Sequence, residues 1–197
     1  MILLCACWRP LVGGLAAAIC FSEMANAQST SIADRIVVCG TCHGDDGNSK
    51  RENIPSIAGQ PSFFILNQLF LMREGVRKVE AMTPFVKDLK DSEIEALAAH
   101  YAKLTPKFSD EPVNAALVAR GAVLSTPLRC GSCHMPSLAG QEQMPRLAKQ
   151  RIDYMTTALM EFRNDKRSGA DTLMSNVVRG LSDADLAALA HYAASKQ

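Results

Sequence analysis

The chain has 197 residues, room for one large domain or two small ones. With 21 Lys and Arg against 20 Asp and Glu, its formal net charge is +1, which argues against a nucleic-acid binder with a basic stripe or tail. An apolar fraction of 48% argues against disorder, whereas an aromatic content of 6% is low for a chain that builds its own core and leaves space for some other bulky group.

The first element in chain order is an export signal. Arg9 precedes an apolar run from Leu11 to Phe21, and Ala25-Asn26-Ala27 supplies a small-x-small cleavage pattern. Cleavage after Ala27 would leave a mature chain of 28–197 in the periplasm. Retained instead, the run would anchor the chain, although it is short for a transmembrane helix. Cys5, Cys7 and Cys20 leave with the signal, so the remaining cysteines are two CxxC pairs, Cys39/Cys42 and Cys130/Cys133. In an oxidising compartment these thiols need some chemistry that protects them from simple disulfide formation.

The mature chain is a tandem repeat. Cys39-Gly40-Thr41-Cys42-His43 recurs as Cys130-Gly131-Ser132-Cys133-His134, and Ile54-Pro55-Ser56-Ile57-Ala58-Gly59-Gln60 as Met144-Pro145-Arg146-Leu147-Ala148-Lys149-Gln150. The segment from Leu89 to Leu97 recurs at Leu181 to Leu189. Two copies of one small domain fit this pattern, whereas a solenoid needs three or more units. The copies span 28–104 and 113–197, joined by a short, stiff linker, 105–112, with two prolines. Residues 28–108 carry ten basic and ten acidic side chains and residues 109–197 carry ten and nine, so neither half is polarised.

Each copy reads as all-α, with no convincing alternating strand. Helices are expected over Ser31 to Val38 and Asn114 to Leu124, ahead of each CxxC. Pro61 can start the next helix through Phe63, Phe64, Asn67 and Phe70, with a counterpart through Ile152, Met155, Leu159 and Phe162. In the terminal helices Ile94, Leu97, Ala98 and Tyr101, and likewise Leu186, Leu189, Ala190 and Ala193, share one face. Ser182 with Asp185 resembles a capping box, and in the first copy Asp91 or Ser92 is expected to cap, because Lys90 replaces the serine. A domain of about 80 residues with so few aromatics needs a staple or a bulky prosthetic group.

CxxCH is the attachment pattern of c-type haem. Both thiols add to vinyl groups as thioethers, and the histidine that follows faces the iron. Zinc would want its CxxC pairs closer together, and thioredoxin-like chemistry would want a βαβ pattern. Two registered copies behind an export signal point to two covalent haem c groups with iron, held by Cys39, Cys42, Cys130 and Cys133. His43 and His134 each supply one axial ligand. For the other face, His100 and His191 sit at non-equivalent repeat positions and read as ordinary helix residues near the surface. Met72, Met155 and Met160 read as packing. Met135 and Met144 lie on the proximal side. Met82 and Met174 remain, 39 and 40 residues after their histidines, each in a loop before the terminal helix. His/Met ligation fills both axial positions and raises the reduction potential relative to two histidines. Pro55 and Pro145 read either as loop prolines or as carbonyl acceptors for the histidine Nδ1–H.

The run from Cys42 to Ser49, the Ile54 to Gln60 block, the loop around Met82 and the terminal helices resemble the dihaem cytochrome c4 family. The resemblance implies an all-α pair of class I cytochrome c domains face to face, each wrapped around one haem, in the bacterial periplasm. It implies His43 with Met82 on the first iron, His134 with Met174 on the second, carbonyl roles for Pro55 and Pro145, and electron transfer towards a terminal oxidase. Met135-Pro136-Ser137 departs from the family pattern after the second motif. The expected function is therefore electron transport, with no catalysis by the chain itself. Its partners would be redox proteins: a quinol-oxidising complex, a terminal oxidase, or a dehydrogenase subunit such as a flavoprotein oxidising a sulfur compound. Peripheral membrane contact is compatible with these roles. A peroxidase or gas-binding protein would need an open axial site. Lys87, Lys90, Arg163, Lys166 and Arg167 lie near the two methionine loops and are candidate docking charges.

Overall fold

The computed structural model describes residues 31–169 and 172–197, so the expected signal segment lies outside the described residues. The first half holds α1 (Ile32–His43), α2 (Ser62–Arg73), α3 (Thr83–Val86) and α4 (Asp91–Ala102). The second holds α5 (Ala115–Ser125), α6 (Cys130–His134), α7 (Ile152–Arg163), α8 (Thr172–Val178) and α9 (Asp183–Ala194). Among the described residues there is no strand; Gln141 and Met144 form one isolated bridge.

Local chemistry explains where the helices begin. At α1 the Ser31 hydroxyl accepts from the Asp34 N–H at 3.2 Å while the Asp34 carboxylate accepts from the Ser31 N–H at 3.2 Å, a reciprocal box that the sequence reading did not single out. The box at α9 is the expected one, with Ser182 and Asp185 exchanging the same pair of bonds. At α4 the expectation of an Asp91 or Ser92 cap is corrected. Lys90 occupies the N-cap, and only half the box exists, the Glu93 carboxylate accepting from the Lys90 N–H at 2.8 Å. An ammonium has no lone pair to return the bond. The Asn114 side chain caps α5 by accepting from the N–H groups of Ala116 and Leu117.

The two CxxCH motifs are carried differently. The first helix does not stop at Val38 but runs through the motif to His43. In the second copy α5 ends at Ser125 and the motif sits on a separate helix, α6. Pro127 cannot donate to a helical ladder, and Arg129 takes the left-handed conformation at φ 55°, so the chain turns before the motif begins.

In each half the terminal helix is the organising piece: α4 packs on α1 and α2, and α9 packs on α5 and α7. The first core is Ile65, Val86, Leu89, Ile94, Leu97, Ala98 and Tyr101; the second is Leu138, Ala148, Ile152, Met155, Ala190, Ala193 and Ala194. Most of these side chains are small or of middle size. The α5–α9 crossing is closer than side chains would allow at Gly121, where an added Cβ would lie 2.1 Å from the Ala188 carbonyl oxygen and 2.6 Å from the Tyr192 Cβ.

The linker is docked at both ends. The Lys107 N–H donates to Asn48 Oδ1 at 2.8 Å and its ammonium meets Asp46 at 2.6 Å on the first half. The Glu111 carboxylate accepts from the N–H groups of Ile152 and Asp153 at 2.7 and 2.9 Å, capping α7 of the second. Directly between the halves, the Asn53 N–H donates to Asp153 at 3.0 Å and Thr157 donates to Asn53 Oδ1 at 3.0 Å.

Gly121→Ala is expected to force α5 and α9 apart. The overpacking cost exceeds the gain in helix propensity, for a net loss of about 2 kcal/mol. A thermal melt followed by circular dichroism should show a fall of roughly 10 °C; an unchanged midpoint would show that the crossing is not tight.

Candidate metal centres

In the first copy, α1 delivers Cys39, Cys42 and His43 at its C-terminal end. Gly44 then reverses the chain at φ 85°; a Cβ there would sit 2.4 Å from the Asn48 carbonyl oxygen. The returning loop is tied down by the Gly47 carbonyl, which accepts from the N–H groups of Ile57 and Ala58 at 2.8 and 2.9 Å. These turns place the Pro55 carbonyl oxygen 2.9 Å from His43 Nδ1.

The second copy reaches the same geometry with less suitable residues. Met135 (φ 68°) and Leu138 (φ 59°) stand where the first copy has Gly44 and Gly47. The Leu138 carbonyl accepts from the N–H groups of Leu147 and Ala148 at 2.8 and 3.0 Å, and the Pro145 carbonyl oxygen lies 2.9 Å from His134 Nδ1.

A carbonyl can only accept, so each imidazole must carry its proton on Nδ1 and keep the Nε2 lone pair. Burial pushes both histidines below their ordinary pKa, against the opposing pull of the carbonyl, and favours the neutral ring. A neutral imidazole with a fixed tautomer is the form that binds a metal. No disulfide joins the four motif cysteines, so all four sulfurs are available for thioether bonds.

Met82 packs against the first core and shares with Cys39 an apolar cleft of about 100 Å³, flanked by Val38 and Phe85. Met82 and Met174 are not simply in loops. Met82 is the N-cap of α3, and Met174 lies half-buried within α8. The segments that carry Met82 and Met174 are both pinned at their base by matching arginines. Arg73 donates to the Leu89 carbonyl at 2.9 Å and meets Asp91 at 2.6 Å; Arg163 donates to the Leu181 carbonyl at 3.0 Å and meets Asp183 at 2.6 Å. The repeat register held the signal for this pair, because Arg73 and Arg163, and the two Leu-x-Asp starts, recur together. Arg163 and Arg167 are therefore not free docking charges: Arg167 donates to Glu161 and to the Tyr154 hydroxyl. Lys87 remains exposed, with only a 3.9 Å contact to Asp88.

The two histidines without an expected metal role are held differently, His100 Nε2 being buried without a hydrogen-bond partner. His191 Nδ1 accepts from the Asn114 N–H at 3.2 Å. His100 is half-buried rather than superficial, its ring edge-on to Tyr101. Met72 and Met155 pack in the two cores, as expected of them.

One buried charge has no anion beside it. The Arg146 guanidinium, on a residue only 3% exposed, donates to the carbonyls of Ala58 and Ala148, and its Nε has no partner. Burial pulls its pKa down to about 10. A buried cation facing only carbonyls, neutral histidines with free Nε2 atoms, paired thiols and a methionine-lined apolar cleft together fit a porphyrin that carries iron and acidic propionates.

The family model described as cytochrome c matches residues 118–196, and that described as cytochrome c oxidase, cbb3-type, subunit III matches residues 27–100. The chain is 33% identical to cytochrome c4 of Pseudomonas aeruginosa over 167 residues, covering 80% of this chain and 83% of that one. It is 31% identical to a thiosulfate dehydrogenase electron acceptor of Stutzerimonas stutzeri, covering 81% and 79%. The crystal structure of reduced recombinant cytochrome c4 from Pseudomonas stutzeri superposes with a TM-score of 0.76 at 29% identity, over 86% of this chain and 100% of that one.

Fold and motifs thus define a tandem c-type cytochrome, two all-α domains that each bind one covalent haem c with its iron. Within that class the chain belongs to the dihaem cytochrome c4 family. It is an electron carrier, not an enzyme.

The loop after the second motif offers a stability test. Met135 at φ 68°, ψ 156° occupies a region that glycine alone enters freely. Met135→Gly is expected to stabilise the protein by about 1 kcal/mol, strain relief outweighing the added chain entropy. A higher urea midpoint at unchanged slope would establish this; a lower one would mean that Met135 is held by contacts worth more than its strain.

Proposed function

We propose that this chain is a periplasmic shuttle with two His/Met-ligated haems. Each haem iron supplies a one-electron store. Cys39 and Cys42 form the thioethers of the first haem, and Cys130 and Cys133 those of the second. His43 with Met82, and His134 with Met174, are the axial pairs, and the Pro55 and Pro145 carbonyls orient the histidines. The observation that carries the reading is the repeated pair of neutral histidines whose Nδ1–H is spoken for at 2.9 Å, leaving Nε2 to the metal. In the first domain a methionine lies on the same cleft as the motif cysteine. Filled axial positions leave no place for substrate, in keeping with electron transfer.

Export would deliver 28–197 as the mature chain, with domains over 28–104 and 113–197 and a linker over 105–112. No helix among the described residues is long and apolar enough to cross a membrane. The donor in this reading is a quinol-oxidising complex of a respiratory chain and the acceptor a terminal oxidase. A second reading has one specific observation behind it. The likeness to a thiosulfate dehydrogenase electron acceptor supports a role as the electron-accepting partner or subunit of a dehydrogenase that oxidises a sulfur compound.

Optical spectra of the purified holoprotein test the ligation. Two low-spin haems per chain that ignore carbon monoxide, with the methionine–iron charge-transfer band present, are expected. High-spin iron or carbon monoxide binding would reopen an enzymatic role. Met82→His is expected to lower the potential of the first haem and leave the second nearly unchanged, because a second imidazole favours ferric iron more than a thioether does. An unaltered redox titration of that variant would remove Met82 from the ligand set.

A further inference from the structure

Gln60 and Gln150 occupy equivalent positions in the two copies, 4% and 3% exposed, and each reaches across the domain junction. Gln150 Oε1 accepts from the Ser56 N–H at 2.8 Å and its Nε2 donates to the Ser56 carbonyl at 2.8 Å. In mirror fashion, Gln60 Oε1 accepts from the Arg146 N–H at 2.9 Å and its Nε2 donates to the Arg146 carbonyl at 3.0 Å. Ser56 follows Pro55, and Arg146 follows Pro145. The N–H held by each glutamine therefore belongs to the same peptide unit whose carbonyl receives an axial histidine.

We propose that these glutamines are positioning residues for the irons of the opposite domains. The relay runs His43 Nδ1–H to the Pro55 carbonyl, through one peptide unit, to the Ser56 N–H and Gln150. Its partner runs from His134 through the Pro145–Arg146 peptide to Gln60. An acceptor on the N–H side of an amide polarises its carbonyl and makes that carbonyl a stronger acceptor. A stronger acceptor pulls the Nδ1 proton, raises the electron density of the imidazole and favours ferric iron. The second domain thus sets the axial histidine of the first haem, and the first domain that of the second haem. Separating the domains would retune both irons, so docking and potential are linked. Burial protects the relay, because water cannot replace either glutamine without opening the junction.

The inference rests on His43 and His134 being axial ligands, which the spectrum of the unsubstituted holoprotein checks first. Gln150→Leu and Gln60→Leu are then compared by redox titration, with the two haems assigned by Met82→His in the same background. Gln150→Leu is expected to raise the potential of the first haem only, with a change in its reduction equilibrium of up to about tenfold, 59 mV for one electron. The His43 Nδ1–H should also exchange faster with solvent in nuclear magnetic resonance spectra. Gln60→Leu should do the same to the second haem and to His134. Gln150→Glu keeps an acceptor for the Ser56 N–H and should not raise the first haem's potential, which separates the relay from a general loosening. Intact low-spin spectra with neither potential moved would overturn the relay and leave the ligand assignment standing. Equal shifts of both haems in each variant would overturn it in favour of simple domain docking. Loss of histidine ligation in the unsubstituted protein would remove both the relay and the reading beneath it.

Discussion

Everything in this chain is arranged around one hydrogen bond made twice, from an imidazole N–H to a proline carbonyl. A histidine at the end of a helix could turn either nitrogen outward. The carbonyl of Pro55 or Pro145, 2.9 Å from Nδ1, leaves only Nε2 for a metal. Reaching it requires the chain to reverse immediately after the motif and to return about a dozen residues later. Gly44 and Gly47 make that reversal without strain in the first domain. In the second, Met135 and Leu138 make it at backbone angles that suit glycine better. That the loop closes identically through the Leu138 carbonyl shows that the constraint, not the local residue preference, decides the backbone there.

The rest of each domain is economical. The cores are short lists of aliphatic and alanine side chains gathered under the terminal helix, with Tyr101 the one aromatic among their fully buried members. Such small cores suit domains built around a large covalent prosthetic group, which supplies apolar area that the side chains do not. Among the described residues, the segments that carry Met82 and Met174 hold little regular structure beyond α3 and α8, and the matching Arg73 and Arg163 clasps tie their ends to the helix that precedes them.

Two one-electron centres on one chain gain from being held together only if the domains keep a defined relation. The contacts that keep it are polar: the paired glutamines, which are buried, and, nearer the surface, the linker docked through Lys107 and Glu111 and Asn53 against Asp153. Buried polar contacts of this kind demand exact partners, because each group left unpaired costs about 1–3 kcal/mol. They therefore select a particular docking more sharply than an apolar interface would. Arg146, which replaces the serine of the first copy, places an unpaired cation at the same junction and makes the two halves chemically unequal there.

Much of this was legible in the residues alone. The tandem repeat, the helical class, the attachment motifs and the capping box at Ser182 follow from spacing and residue type, which act locally. Helix ends are less legible there. The first helix runs through its motif because nothing before Gly44 breaks it, and Lys90 caps α4 only through Glu93. The sequence by itself determined two copies of a haem-attachment motif with histidines and methionines in register, since covalent chemistry and ligand type depend on identity and spacing. Only the tertiary structure decided that Arg163 and Arg167 are engaged internally, that Met174 rides on a helix, and that each glutamine grips the peptide beside the other domain's histidine. The glutamine contacts join residues 94 and 86 positions apart, and no local pattern encodes which side chain a distant carbonyl will meet.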